Sequence, residues 1–450
     1  MKKAQINSSQ TYLTFVLLMV FFGSCNQDKT EDQLGENVAS CEGCHTDYAY
    51  LQEVYSADTV APAGGCGGEA PHYEPYDRVY MGGDGFEAYK ESGHYEIGCV
   101  GCHNGTDLTV DKMVAHSGDF ISHPSEQYQE KCGSCHASIV ENFQTSLHNG
   151  TGQKRKVAMR SGLSGPEDFS QLPAHQIAGY NANCATCHGT CGNCHVVRPP
   201  IGGGGLAKGH DFTRTPDMVS TCVTCHVSRG GHAYLGVASG TQPDVHLTKL
   251  GYDCMDCHSG DELHGNGEVV EQRYAYSGLP ECKECHYGLE VANSYHWQHY
   301  TDFNCQVCHS QDYNNCGSCH IHGEGARVPS YIDYKIALNP IPDVKDYEFA
   351  LVRRTLAAPD NWKEYDVAEY ENFDAFPTYN YTSPHNILKW TSRTQVEDGK
   401  RCYNNCHIRK EGDVLVNKVL YLFKENLLEW EVSATEKITV DGELPVFWTK

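Results

Sequence analysis

The stretch Cys184-Ala185-Thr186-Cys187-His188-Gly189-Thr190-Cys191-Gly192-Asn193-Cys194-His195 holds two cysteine pairs, each followed at once by a histidine. On a helical turn, positions i, i+3 and i+4 share one face, so two thiols and an imidazole at this spacing meet the same flat object. Thiols add as thioethers to the vinyl groups of a porphyrin while the imidazole takes its iron from one side. Covalent haem attachment is what this spacing predicts.

Outward from the doublet the pattern recurs. Ten copies of C-x-x-C-H end at His45, His103, His136, His188, His195, His226, His258, His286, His309 and His320. Their thiols are Cys41, Cys44, Cys99, Cys102, Cys132, Cys135, Cys184, Cys187, Cys191, Cys194, Cys222, Cys225, Cys254, Cys257, Cys282, Cys285, Cys305, Cys308, Cys316 and Cys319. An eleventh copy, Cys402-Tyr-Asn-Asn-Cys406-His407, carries one extra residue between its cysteines and is expected to need a local bulge. These motifs use 22 of the 24 cysteines and leave Cys25 and Cys66. Zinc ribbons explain cysteine pairs but give no reason for a histidine after every second cysteine. The Cys184 to Cys194 run has an iron–sulfur-like spacing, yet His188 and His195 follow there too. Thioredoxin-like chemistry needs one pair, not eleven. The expected complement is about eleven haem c groups, with the histidine of each motif as proximal iron ligand.

Fourteen histidines remain as candidate distal ligands: His72, His94, His116, His123, His148, His175, His210, His232, His246, His264, His296, His299, His322 and His385. They suffice to give every iron a second imidazole, which leaves an iron able to pass electrons but not to take substrate. His322 lies too near His320 to reach round the same ring, so it would serve a neighbouring haem. His188 and His195 are at most about 25 Å apart even in an extended chain, so their haems are expected to be neighbours. His296 and His299 share a helical face and can each cap a different iron. Tunnelling falls off exponentially with distance, so haems this crowded predict a conductor.

The chain has 450 residues, only 40% of them hydrophobic, and a formal net charge of −24. That is thin material for two or three ordinary cores. Haem surface is expected to stand in for side-chain core, with covalent links restricting the unfolded chain. The fold class expected is a multihaem cytochrome c, mostly irregular, with short α-helices packed around a haem chain and a small, partly β C-terminal region. Residues 41–330 would form a ten-haem domain and residues 331–450 a C-terminal region with the eleventh motif. In that tail, Val419 to Phe423 and Glu436 to Val440 read as strands, followed by an Asp441-Gly442 turn and Val446-Phe447-Trp448. The acidic field disfavours nucleic acid and anionic membrane surfaces, leaving redox proteins as the expected partners.

Lys2 and Lys3 precede an apolar run from Tyr12 to Phe22, too short for a comfortable membrane span, so residues 1–24 read as a signal peptide. Phe22-Gly23-Ser24-Cys25 resembles a bacterial lipobox, which would make Cys25 the lipidated start of a polar tether over 25–40. Asn26 after it favours the outer membrane by the same resemblance. The expectation is an exported lipoprotein anchored in the outer membrane, facing the periplasm or the cell surface.

From Cys184 to Gly265, the doublet, the Gly202 to Leu206 run, Asp244-Val245-His246 and Glu262-Leu263-His264-Gly265 resemble octahaem c-type cytochromes. These include tetrathionate-reductase-like and hydroxylamine-oxidoreductase-related enzymes and subunits of extracellular cytochrome filaments. The likeness extends from Cys41 to His322, with Cys135-His136 and Ser146-Leu147-His148, but not to the tail. Reductase-like members keep one haem whose axial position is lysine or vacant, often beside a cysteine. No C-x-x-C-K occurs here, so the resemblance implies as catalytic candidates only a distal Lys154 and Cys66, for reduction of a small sulfur or nitrogen oxyanion such as tetrathionate, nitrite or hydroxylamine. Filament members imply a homo-oligomer with a distal histidine donated between copies, against which the lipid anchor counts. If haem replaces core, protein made without cytochrome c maturation should be unfolded by circular dichroism. A cooperative, native-like melt of haem-free protein would overturn that expectation.

Overall fold

The cysteine motifs fold as isolated helical turns. Cys41–Thr46, Cys99–His103, Cys191–His195, Val223–His226, Cys282–Cys285 and Gln306–His309 are each four to six residues long. The structure is a computed structural model that describes residues 39–59, 72–183, 185–227, 230–237, 240–313, 334–355, 358–397 and 400–442. The signal peptide, most of the tether with Cys25, and Cys66, Cys184, Cys316, Cys319, His320, His322 and Val446 to Trp448 lie outside the described residues. Among those described, the longest helices are Thr151–Arg160 and Ala174–Asn183, of ten residues each. Helices this short are marginal by themselves and rely on caps and packing. Ser40, Asp111, Asp217, Asp244 and Asn293 supply N-cap side chains that accept from the first-turn amides.

The eleventh motif absorbs its extra residue without the bulge expected of it. The helix Tyr403–Cys406 simply stops, and His407 turns out of it with extended backbone, φ −66° and ψ 140°. The imidazole therefore leaves the helix end rather than its side.

Beyond residue 330 a three-stranded antiparallel sheet forms in the order β1-β2-β3, with β1 Tyr334–Leu338, β2 Phe349–Arg354 and β3 Tyr379–Tyr381. Ile336 stands opposite Leu351 and Val352 opposite Tyr381. The two runs read as strands in the tail are instead mostly 3-10 turns, Lys418–Leu420 and Glu436–Ile438. Only their ends attach as β-structure: Leu422 N donates to Ile336 O, and Val440 N to Leu422 O. Tyr421, Leu422 and Val440 bury their side chains completely by this insertion, so burial did not require ladder pairing along the whole run.

The composition boundary near residue 330 is not a packing boundary. Phe303, Val307 and Tyr313 share one core with Tyr334, Ile336, Phe349, Leu351, Ile408, Tyr421 and Val440. Phe349 N donates to Asp302 O, and Leu351 N donates to Asn304 Oδ1 at 2.9 Å. A second cluster joins Val157, Leu172 and Tyr180 to Trp362, Val367, Tyr370 and Phe373. Among the described residues no helix is long and apolar enough to cross a membrane.

The sheet is pinned by a buried ion pair. Arg354 Nε donates to Glu431 Oε1 at 2.8 Å, a second guanidinium nitrogen donates to Oε2, and Glu431 is fully buried. Replacing one partner of such a pair leaves a charge without compensation, which costs about 3–5 kcal/mol. Glu431→Leu should lower denaturant stability by that order, and adding Arg354→Met should restore most of the loss. A single variant as stable as the parent would show that the pair contributes nothing.

Candidate metal centres

Among the described residues nine motif histidines each face a second imidazole. The ring centres are 6.1 Å apart for His45 and His116, 6.2 Å for His103 and His210, and 6.0 Å for His136 and His94. They are 6.0 Å apart for His195 and His264, 6.2 Å for His226 and His148, and 6.0 Å for His258 and His385. The remaining pairs are His286 with His246 at 5.9 Å, His309 with His296 at 6.2 Å, and His407 with His299 at 6.0 Å. The interplanar angles meanwhile run from 21° to 89°. A constant separation with an unconstrained twist is the geometry of two ligands on one shared point. Two metal–imidazole bonds of about 2 Å, plus the ring radii, add to about 6 Å.

The far nitrogen of many of these rings is anchored. His45 Nδ1 meets Val79 O at 3.1 Å, His103 Nδ1 meets Ile121 O at 2.9 Å, and His195 Nδ1 meets Thr213 O at 2.7 Å. His309, His296 and His116 use Leu388 O, Leu289 O and Lys112 O in the same way. Two rings use carboxylates: His246 Nδ1 donates to Asp244 at 2.8 Å and His258 Nδ1 to Glu262 at 2.8 Å. Committing the Nδ1 proton to an acceptor leaves the Nε2 lone pair for a metal and fixes the ring's direction. Burial holds His210 down to about 4 and pushes His148, His385 and His407 below the usual imidazole range. Glu262 raises His258 instead. Metal ligation needs neutral imidazole, so at neutral pH the buried rings are in the competent form.

The thiols string these centres into one order. Cys41 lies beside Cys99, Cys102 beside Cys132, and Cys132 beside Cys191. Cys194 lies beside Cys222, Cys222 beside Cys254, and Cys257 near Cys285. Cys282 then lies beside Cys305, and Cys308 near Cys406. The file therefore runs through the motifs of His45, His103, His136, His195, His226, His258, His286, His309 and His407. A cavity of about 3210 Å³ follows it past the paired rings from His45 to His286 and reaches Cys305, short of the His309 and His407 pairs. Among the described residues no three His, Cys, Asp or Glu side chains converge on one point, as a bare tetrahedral ion requires. Two axial imidazoles, flanking thiols and a long cavity instead fit an iron that brings its own planar macrocycle.

Of the other histidines, His72 is exposed beside Glu74, His123 and His175 are exposed, and His232 is half-buried; none of these joins a pair of this kind among the described residues. At His188 the ring at this separation is the phenol of Tyr180, at 6.1 Å. Lys154 lies on the helix Thr151–Arg160, but the residues of that helix that line the cavity are Gln153, Lys156, Val157 and Arg160. They follow the i, i+3, i+4, i+7 stripe of one helical face, which Lys154 is not on. The carboxylate anchors Asp244 and Glu262 carried no signal in the sequence apart from their nearness to a histidine.

No protein-family model, curated protein or solved structure matches this chain. The chemistry of the thiols separates the readings. In denatured, reduced protein from a host with cytochrome c maturation, thioethers should block the 22 motif thiols from alkylation and leave Cys66 to take label. Labelling across the motifs would mark disulfides or zinc sites instead.

Proposed function

We propose that this chain is an electron conductor of the multihaem c-type cytochrome class, carrying about eleven covalently attached haems. The observation that carries the reading is the single file of nine imidazole pairs, each at about 6 Å and each joining a C-x-x-C-H or C-x-x-x-C-H histidine to a distal one. Haem iron supplies reversible one-electron chemistry when bound. The chain's own residues do the rest. Motif cysteines tether each macrocycle, Nδ1 anchors orient the axial rings, and adjacent motifs share cysteine contacts that bring successive centres together.

Two imidazoles at each of these nine centres leave no position for substrate, which favours transfer over catalysis along the file. Asp244 and Glu262 add a local adjustment, since a carboxylate on Nδ1 makes the ligand more basic and stabilises the oxidised metal. The N-terminal run to Phe22 and the Gly23-Ser24-Cys25 site support export and lipid anchoring, with redox proteins as partners.

Low-temperature EPR of the oxidised holoprotein, with haem counted by mass, tests the reading. At least nine low-spin, bis-imidazole irons per chain are expected; a chain that folds with few haems, or with mostly high-spin irons, would sink it. Glu262→Gln should raise the midpoint potential of one centre by tens of millivolts, on a scale of roughly 60 mV per tenfold for one electron. An unchanged potentiometric titration would show that the His258 anchor is only structural.

A further inference from the structure

The last two centres of the file form a unit of their own. Both second rings come from one short helix, Ser294–His299, which sets His296 against His309 and His299 against His407. The thiols Cys308 and Cys406 lie near each other and pack against the same apolar core. Arg393 is sealed in at this point, with 4% exposure. Its Nε donates to Val307 O at 2.7 Å and its Nη2 to Gln306 O and Ser310 O, so three carbonyls of the Cys308–His309 turn close round the guanidinium. Thr391 Oγ1 donates to Cys308 O at 2.8 Å and fixes the same turn. Among the described residues the one carboxylate that meets Arg393 is the partly exposed Asp312, which accepts from Nη1 at 2.9 Å.

The charge of Arg393 reaches both motifs. Burial pushes the Cys308 thiol up to about 12 and raises Cys406 too, and the guanidinium acts against that rise at each. A buried charge is screened much less than an exposed one, so Asp312 offsets this cation only in part. The rings here are not held by carboxylates. His309 and His296 use the carbonyls of Leu388 and Leu289, and His299 Nδ1 is buried without a partner. Asp302 lies near His299 without taking its Nδ1 proton.

The two centres just before them are built the opposite way. Glu262 holds Nδ1 of His258, and Asp244 holds Nδ1 of His246 at the His286 centre. Cys257 of the His258 motif also stands in the field of Asp244, Asp253 and Asp256. Negative charge beside an iron favours its oxidised form, and positive charge its reduced form.

We propose that Arg393, set against Asp244 and Glu262, gives the file a direction: electrons run downhill from the His258 and His286 centres to the His309 and His407 centres. The inference rests on the haem reading above. Each step oxidises one ferrous iron of the first pair and reduces one ferric iron of the second, with no bond made or broken. A redox-protein donor supplies the electron and a redox-protein acceptor removes it. Arg393 touches no axial ring; it is a positioning residue that acts through the motif turn and through its charge.

Potentiometric titration of the holoprotein, followed in the haem absorption bands with haem counted by mass, tests the direction. The difference between native and variant curves falls at the potential of the altered centre. Arg393→Gln should disfavour reduction about tenfold at one or two centres, a downward shift of about 60 mV, in the high-potential part of the curve. Glu262→Gln should move a centre upward in the low-potential part. Arg393→Lys should keep most of the native curve, and Asp312→Asn should raise the centres that Arg393→Gln lowers. A merely loosened turn does not give opposite signs for the two partners of one ion pair. Asp312→Asn carries the test if Arg393→Gln does not fold. With the full haem complement, three results overturn the direction and leave the conductor standing. They are a curve unchanged by Arg393→Gln, or by Asp312→Asn where only that variant folds; a downward shift for Asp312→Asn; and Arg393 and Glu262 features in the reverse order of potential. A holoprotein with few haems sinks the conductor itself.

Discussion

Two imidazoles held about 6 Å apart form the constraint on which the remainder of this molecule depends. The members of a pair come from distant parts of the chain: His103 with His210, His258 with His385, His299 with His407. A metal held between them closes a long loop, and such closures restrict the unfolded chain far more than local contacts do. Such closure would account for the persistence of helices of four to six residues where isolated helices of that length do not form. It also explains why ordinary cores are concentrated in the C-terminal region, where the sheet supplies its own apolar packing.

The segment around residues 385–388 shows how closely the centres are coupled through protein. His385 pairs with His258, while Ile387 N donates to Asp244 Oδ2, the same carboxylate that anchors His246. One residue on, Leu388 N donates to His309 O, and Leu388 O takes the His309 Nδ1 contact. Four residues thus touch the His258, His286 and His309 centres, which are consecutive in the file. Asp244 is 1% exposed, and its charge is answered by a backbone amide, an imidazole N–H and the start of the Val245–Leu250 helix. A displacement anywhere in this segment would be felt at three sites at once.

The motif cysteines and their histidines were legible in the sequence because their chemistry demands a fixed local spacing. Which distal histidine meets which motif was not, because that is a matter of long-range packing; His385 carries no local mark that distinguishes it from His175. The placing of His296 and His299 on one short helix, facing His309 and His407, follows from helical geometry alone. β1 and β2 went unread because Tyr334 to Leu338 and Phe349 to Arg354 lie in a segment whose overall composition is polar, and because β2 is buried along almost its whole length and shows no alternation. Val419 to Phe423 carried the strand signal that the fold used for insertion. Lys154 drew the eye as a lysine soon after His148, whereas the helical period selects Gln153, Lys156, Val157 and Arg160 for the cavity.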